Sequence, residues 1–222
     1  FRLGHLSFDA MKHIGFPCNN VKQTVSCRVC PRAKLHRQPF PLSMNKALKK
    51  FEVLHVDLWG PYKCRTYNGF QYFQTVVDDC SRATWVHLLS HKSNAFPILQ
   101  VFILQMEKQF DAAVKIIRSD NGLEFQDTSA LQFYKEQGII HQTSCVERPQ
   151  QNGIVERKHK HLLEVARALM IQSGLHLKLW GDGVLTAAYL INRFPTPILG
   201  YKTPFQILYD HEPTYGHLKA FG

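Results

Sequence analysis

From Phe51 onward the apolar residues change period in a fixed order, and that order limits the chain to an α/β fold. Phe51 to Leu58, Gln71 to Val77 and Thr84 to Leu89 are β-branched or aromatic runs separated by turn residues. They predict three successive strands arranged as a meander. Helical spacing follows over Asn94 to Phe110, where Ile98, Leu99, Phe102, Met106 and Phe110 share a face. Val114 to Ile117 is a short apolar strand running into Arg118, Ser119 and Asp120, and a helix at Thr128 to Gln137 and a strand at Ile139 to Gln142 come next. Pro149, Gln150, Gln151, Asn152 and Gly153 give the segment from Ser144 to Gly153 the composition of a loop. Beyond it, Val155, Leu162, Ala166 and Leu169 form the stripe of a long amphipathic helix whose remainder carries Arg157, Lys158, Lys160 and Arg167. A further helix over Leu177 to Asn192 ends before Pro195 and Pro197, and a short one is expected near Pro204 to Tyr209.

The first 50 residues have a different texture, with few long apolar runs and half of the six cysteines. Cys27 and Cys30 form a C-x2-C pair, and His5 precedes it, so three ligands suited to tetrahedral zinc are present. His13 is a candidate fourth ligand inside the chain. The other cysteines, at 18, 64, 80 and 145, are scattered, which favours a metal site and free thiols in a reducing compartment over a disulfide framework. The chain opens at Phe1 without an initiator Met and stops at Gly222 after an apolar stretch, and so reads as a fragment.

Charge points to the partner. Lys and Arg number 27 against 17 Asp and Glu, a formal net charge of +10, which suits a polyanion. Hydrophobic residues make up 45% of the chain, enough for a packed core, so disorder is not its dominant state. No apolar run approaches the roughly 20 residues of a bilayer-crossing helix, and no membrane partner is expected.

Three carboxylates fall where strands end and helices start, the positions at which sites are built. Asp57 lies near the end of the first strand, Asp120 directly after the fourth, and Glu156 in the first turn of the long helix. Between Asp57 and Asp120 lie 62 residues, and between Asp120 and Glu156 lie 35. Converging acids of this kind suit two divalent cations that stabilise the attacking and leaving oxygens of a phosphodiester. Asp78, Asp79 and Glu124 lie nearby. Asp79 is expected to shape a turn with Ser81 and pair Arg82, and Glu124 to close a local hydrogen bond.

The triad resembles the D, D(35)E signature of retroviral and retrotransposon integrases. Asp57-Leu-Trp-Gly-Pro61, Asp78-Asp-Cys-Ser-Arg82 with Trp85, Ser119-Asp-Asn-Gly-Leu-Glu-Phe125 and Pro149-Gln-Gln-Asn-Gly-Ile-Val-Glu-Arg-Lys158 are similar to the integrase of copia-type long-terminal-repeat retrotransposons. The resemblance implies a ribonuclease H-like core, a five-stranded mixed sheet flanked by helices, preceded by a zinc-binding module. The expected division is residues 1–45 for that module, 46–50 for a basic linker, 51–175 for the catalytic core and 176–222 for a helical extension. It also implies that His5 closes an H-x4-H motif whose first His falls before Phe1. Implied too are Mg2+ or Mn2+ on Asp57, Asp120 and Glu156, strand transfer of element 3′-hydroxyl ends into target DNA, assembly of several copies on DNA, and work in the nucleus after a cytoplasmic particle stage. Lys160, one turn after Glu156, is the first candidate for a DNA phosphate, with Arg157, Lys158, Gln151 and Asn152 beside it. Alternatives are a ribonuclease H-like metal nuclease and a catalytically inactive DNA-binding remnant of a decayed element.

Overall fold

The computed structural model describes residues 46–143 and 153–221, all within one compact unit. Five strands form one sheet: β1 (Val53–Trp59), β2 (Tyr72–Asp78), β3 (Thr84–Leu89), β4 (Ile116–Ser119) and β5 (Ile140–Thr143). Their spatial order is β3-β2-β1-β4-β5. The first three are the expected antiparallel meander, whereas β4 and β5 join in parallel, β4 directly against β1. Parallel pairing requires crossovers, and the helices supply them. Among the described residues the helices are α1 (Ala95–Phe110), α2 (Thr128–Gln137), α3 (Gly153–Ser173), α4 (Trp180–Ile191) and α5 (Pro204–Tyr209).

Side-chain alternation along the strands divides the core in two. On one face Leu54, Val56, Val76, Leu89 and Ile117 pack against Phe96, Leu99, Phe102 and Ile103 of α1 and Phe133 and Tyr134 of α2. On the other, Phe73 with Trp59, Val86 and Leu88 meets Leu162 and Ala166 of α3 and Trp180, Val184, Ala188 and Ile191 of α4. Among the described residues no helix is long and apolar enough to cross a membrane.

Local chemistry explains the element ends. Asp127 caps α2 by accepting the Ala130 N–H at 2.7 Å, and Gly138 ends the helix in the left-handed conformation. Strand β4 begins two residues later than the apolar run suggests. The Val114 N–H is taken by the Glu107 carboxylate at 3.0 Å, and pairing starts only where Lys115 and Ile116 both donate to the Glu52 carbonyl. The helix expected over Leu177 to Asn192 opens as a 3-10 turn at Leu177–Leu179 before α4 proper. Asn192, at the end of α4, both donates to the Thr84 carbonyl and accepts its N–H, each at 2.8 Å. Those bonds occupy backbone groups on β3, an edge strand. Trp180 donates its indole N–H to the Cys64 carbonyl at 2.8 Å, so the helical region after residue 175 is fastened both to β3 and to the connection between β1 and β2.

Candidate active site

Alternation along β1 puts His55 and Asp57 on the sheet face that α3 covers. The parallel register pairs His55 with Arg118, and two residues further on Asp120 comes level with Asp57. Glu156 enters from above, in the first turn of α3. Asp57 Oδ1 accepts the Leu58 N–H at 2.8 Å, while Oδ2 lies 3.5 Å from Nδ1 of His159. Burial pushes the Asp57 carboxyl up to about 7. The Asp120 charge adds to this, the Leu58 N–H opposes it, and Glu156 and then Glu124 raise it further. The three acids singled out by spacing therefore share one electrostatic neighbourhood, and Glu124 joins them.

Asp120 Oδ1 accepts the Gly122 N–H at 3.1 Å, and Ser119 Oγ donates to the Asp120 carbonyl at 2.8 Å. A Cβ placed on Gly122 would come 3.0 Å from Asp120 Oδ1 and 3.0 Å from Glu124 Oε1, with Glu124 Cδ at 2.9 Å. Both carboxylates thus lean over a residue that has no side chain. The local hydrogen bond expected of Glu124 is not formed with any described residue.

Asp78 and Asp79 are used elsewhere. Asp78 accepts the Phe51 N–H at 2.9 Å, and the Ser81 N–H and hydroxyl at 2.8 and 2.6 Å. Asp79 faces His55 at 3.2 Å and Arg82 at 3.1 Å, and accepts the Ala47 N–H at 2.7 Å. Burial works to raise its carboxyl, but these donors and the Arg82 charge hold it at about 2. The ion pair of Asp79 with Arg82 is as expected from sequence, but the turn at Ser81 is shaped by Asp78 and not by Asp79.

The basic residues of α3 separate. At roughly 100° per residue, Lys160 returns to within about 40° of Glu156, whereas Lys158 lies about 160° away around the helix. Lys160 is exposed and only loosely paired with Glu164, at 3.9 Å. Arg157 is exposed, its guanidinium near the backbone of Gly153. Lys158 is half-buried; burial, and then the charge of Arg82, lower its ammonium to about 8. It lies on the other side of the helix from Glu156, whereas Lys160 shares the flank of that acid. His159, between them in sequence, is buried, and burial lowers its imidazole to about 4. The stripe at 155, 162 and 166 already marked position 159 as inward.

Among the described residues no three His, Cys, Asp or Glu side chains stand close enough together to hold a metal ion as they are. The acids are gathered but not clasped, and their mutual repulsion is the property that a cation would relieve. His5, His13, Cys27, Cys30, Gln151 and Asn152 lie outside the described residues.

With this geometry in place, comparison with known proteins is informative. The integrase core domain family matches residues 47–149. The retrovirus-related Pol polyprotein from transposon TNT 1-94 of Nicotiana tabacum is 34% identical over 225 residues, covering 100% of this chain. That from transposon RE2 of Arabidopsis thaliana is 32% identical over 226 residues, also across 100% of the chain. The chain spans 17% and 15% of the lengths of these two curated relatives. Among solved structures, a chain of the simian T-cell lymphotropic virus intasome, determined with the PP2A regulatory subunit B56 gamma, is similar with a TM-score of 0.63 and 18% identity, over 98% of this chain and 76% of that one. The HTLV-2 integrase catalytic core domain in complex with magnesium gives a TM-score of 0.55 and 19% identity, over 73% of this chain and 99% of that one. At such identities the structural likenesses establish the fold, the ribonuclease H-like sheet expected from sequence.

Proposed function

The chain belongs to the retrotransposon integrases, with an integrase core domain at residues 47–149, and from that we propose that it joins 3′-hydroxyl ends of element DNA to target DNA. The observation that carries the proposal is the position of Asp57, a carboxyl raised to about 7 among Asp120, Glu156 and Glu124. Four acids sharing one neighbourhood, with no ion pair to any of Asp120, Glu156 and Glu124 among the described residues, fit a divalent-metal centre. Asp57, Asp120 and Glu156 would together hold two Mg2+ or Mn2+ ions. When bound, such ions supply electrostatic stabilisation of the phosphodiester and of the attacking and leaving oxygens.

In the joining step the 3′-hydroxyl oxygen forms a bond to a target phosphorus as the bond from that phosphorus to the target 3′-oxygen breaks. The hydroxyl loses its proton to solvent and the leaving oxygen gains one. No bond to the protein forms. The chain's own part is positional. The β1 and β4 backbones fix Asp57 and Asp120 side by side, and His159 borders Asp57 on the helix side. Lys160, on the flank of Glu156, would hold a DNA phosphate, and Arg157, Lys158, Gln151 and Asn152 are the further candidates for DNA contact.

We further propose that His5, Cys27 and Cys30 hold a structural zinc, with the fourth ligand upstream of Phe1 in the family's pattern or His13 in its place. DNA, further copies of the same chain and a nuclear site of action complete the proposal. The test supplies a version with complete termini with a labelled duplex carrying a recessed 3′-hydroxyl, a target plasmid and Mg2+. Joined product is expected, and Glu156→Gln should lower it by orders of magnitude while the fold persists. Full joining by Glu156→Gln would refute the three-carboxylate site. Cleavage of RNA in a hybrid without DNA joining would favour the ribonuclease alternative.

A further inference from the structure

Gly122 and Glu124 carry an arrangement that the three-acid site does not use. Glu124 sits in the 3-10 turn Leu123–Phe125, which is closed by the Phe125 N–H on the Gly122 carbonyl at 3.2 Å and the Gln126 N–H on the Leu123 carbonyl at 3.1 Å. Phe125 is fully buried and anchors the turn in the core. Within the same turn Leu123 is 81% exposed, whereas the Glu124 carboxylate is half-buried. That is the reverse of the usual partition of an apolar and a charged neighbour. No described residue donates a hydrogen bond to Glu124 or forms an ion pair with it. Its Oε1 and Asp120 Oδ1 each come within 3.0 Å of the point where a Gly122 Cβ would stand.

Two carboxylates side by side, with no counter-charge, repel each other and are tolerated where a cation joins them. A second group faces the same cluster. His159, about nine-tenths buried, turns its Nδ1 toward Asp57, 3.5 Å from Oδ2.

We propose that Glu124 is a fourth carboxylate of the cation centre, a positioning residue that leans on Asp120 across the gap left by Gly122. The inference rests on the reading that Asp57, Asp120 and Glu156 bind divalent cations. Gly122 is required for lack of volume, not for backbone freedom, because its φ of −59° is open to any residue. Alanine there would wedge the two carboxylates apart. The sequence Asp120-Asn-Gly-Leu-Glu124 is therefore one unit, two acids set on either side of a hole.

The experiment measures Mn2+ binding to the 222-residue chain by calorimetry and by Mn2+ electron paramagnetic resonance, so that no turnover is needed. Wild type is compared with Asp120→Asn, Glu124→Gln, Glu124→Asp and Gly122→Ala, and folding is followed by circular dichroism. Glu124→Gln should weaken Mn2+ binding by about 10- to 100-fold, the range for residues that hold metal ligands in place. Gly122→Ala should move it in the same direction, Glu124→Asp should recover part of the loss, and all should melt as cooperatively as wild type. If Asp120→Asn loses Mn2+ while Glu124→Gln and Gly122→Ala bind as wild type does, the role of Glu124 is overturned and the three-acid centre stands. If Asp120→Asn itself binds Mn2+ normally, the centre fails and Glu124 with it.

Discussion

Asp57→Asn should make the metal-free protein more stable at neutral pH. The carboxyl moves from 3.8 to about 7 on folding, a rise of about 3 units, and at 1.36 kcal/mol per unit the charged form costs the folded state up to about 4 kcal/mol. Because the folded chain holds this proton more tightly than the unfolded chain, the Asp57 contribution is fully present below pH 4. It is lost as pH rises through about 7. His159 acts in the opposite sense. Its imidazole falls from 6.5 to about 4 through burial, so its contribution is present above pH 6.5 and lost as pH falls through 4. In wild type the two slopes oppose each other across the overlapping window. The amide leaves only that of His159, and its oxygen still accepts the Leu58 N–H. Urea denaturation from pH 4 to 8, in magnesium-free buffer with zinc retained, measures the difference. The variant should match wild type near pH 4 and exceed it increasingly up to pH 8, and added Mg2+ should narrow the gap by stabilising wild type alone. A variant no more stable than wild type at pH 8, or a gap that does not change with pH, would refute the claim that Asp57 is held in a repulsive, desolvated place.

Lys160→Glu should weaken DNA binding and reduce the slope of log K against log salt by about one phosphate contact, whereas Lys158→Gln should leave that slope unchanged. An equal loss in both would mean that the two flanks of α3 meet DNA alike. Cys27→Ser with Cys30→Ser should abolish stoichiometric zinc, measured by atomic absorption, and expose the first 45 residues to proteolysis. Retained zinc would remove those thiols from the ligand set.

The order of strands and helices was legible because each run between Phe51 and Tyr209 keeps a single period over several residues. Its misplacements are local and have causes off the sequence pattern. The start of β4 depends on Glu107, seven residues away in the chain, taking the Val114 N–H, and no hydropathy rule contains that bond. The first turn after Leu177 tightened because His176 caps it, its ring accepting the Lys178 N–H at 3.2 Å. Asp57, Asp120 and Glu156 were legible for a different reason. Each sits at the end of an element whose type was already clear, and strand ends converge when β4 pairs in parallel with β1.

A count of charge does not contain direction around an axis. Lys158, His159 and Lys160 are consecutive, and a count of positive charge treats them alike. On a helix seated against a sheet they differ: Lys158 is half-buried, His159 faces Asp57, and Lys160 stands out to solvent beside Glu156. Only the residue whose angle coincides with that of Glu156 can share its work, and angle becomes known once Val155, Leu162 and Ala166 are seen to be the buried stripe. Glu124 was hidden by the same blindness. In a linear motif it is one more acid near a glycine, and it gains a function only when the turn that buries Phe125 and exposes Leu123 swings its carboxylate over Gly122 toward Asp120.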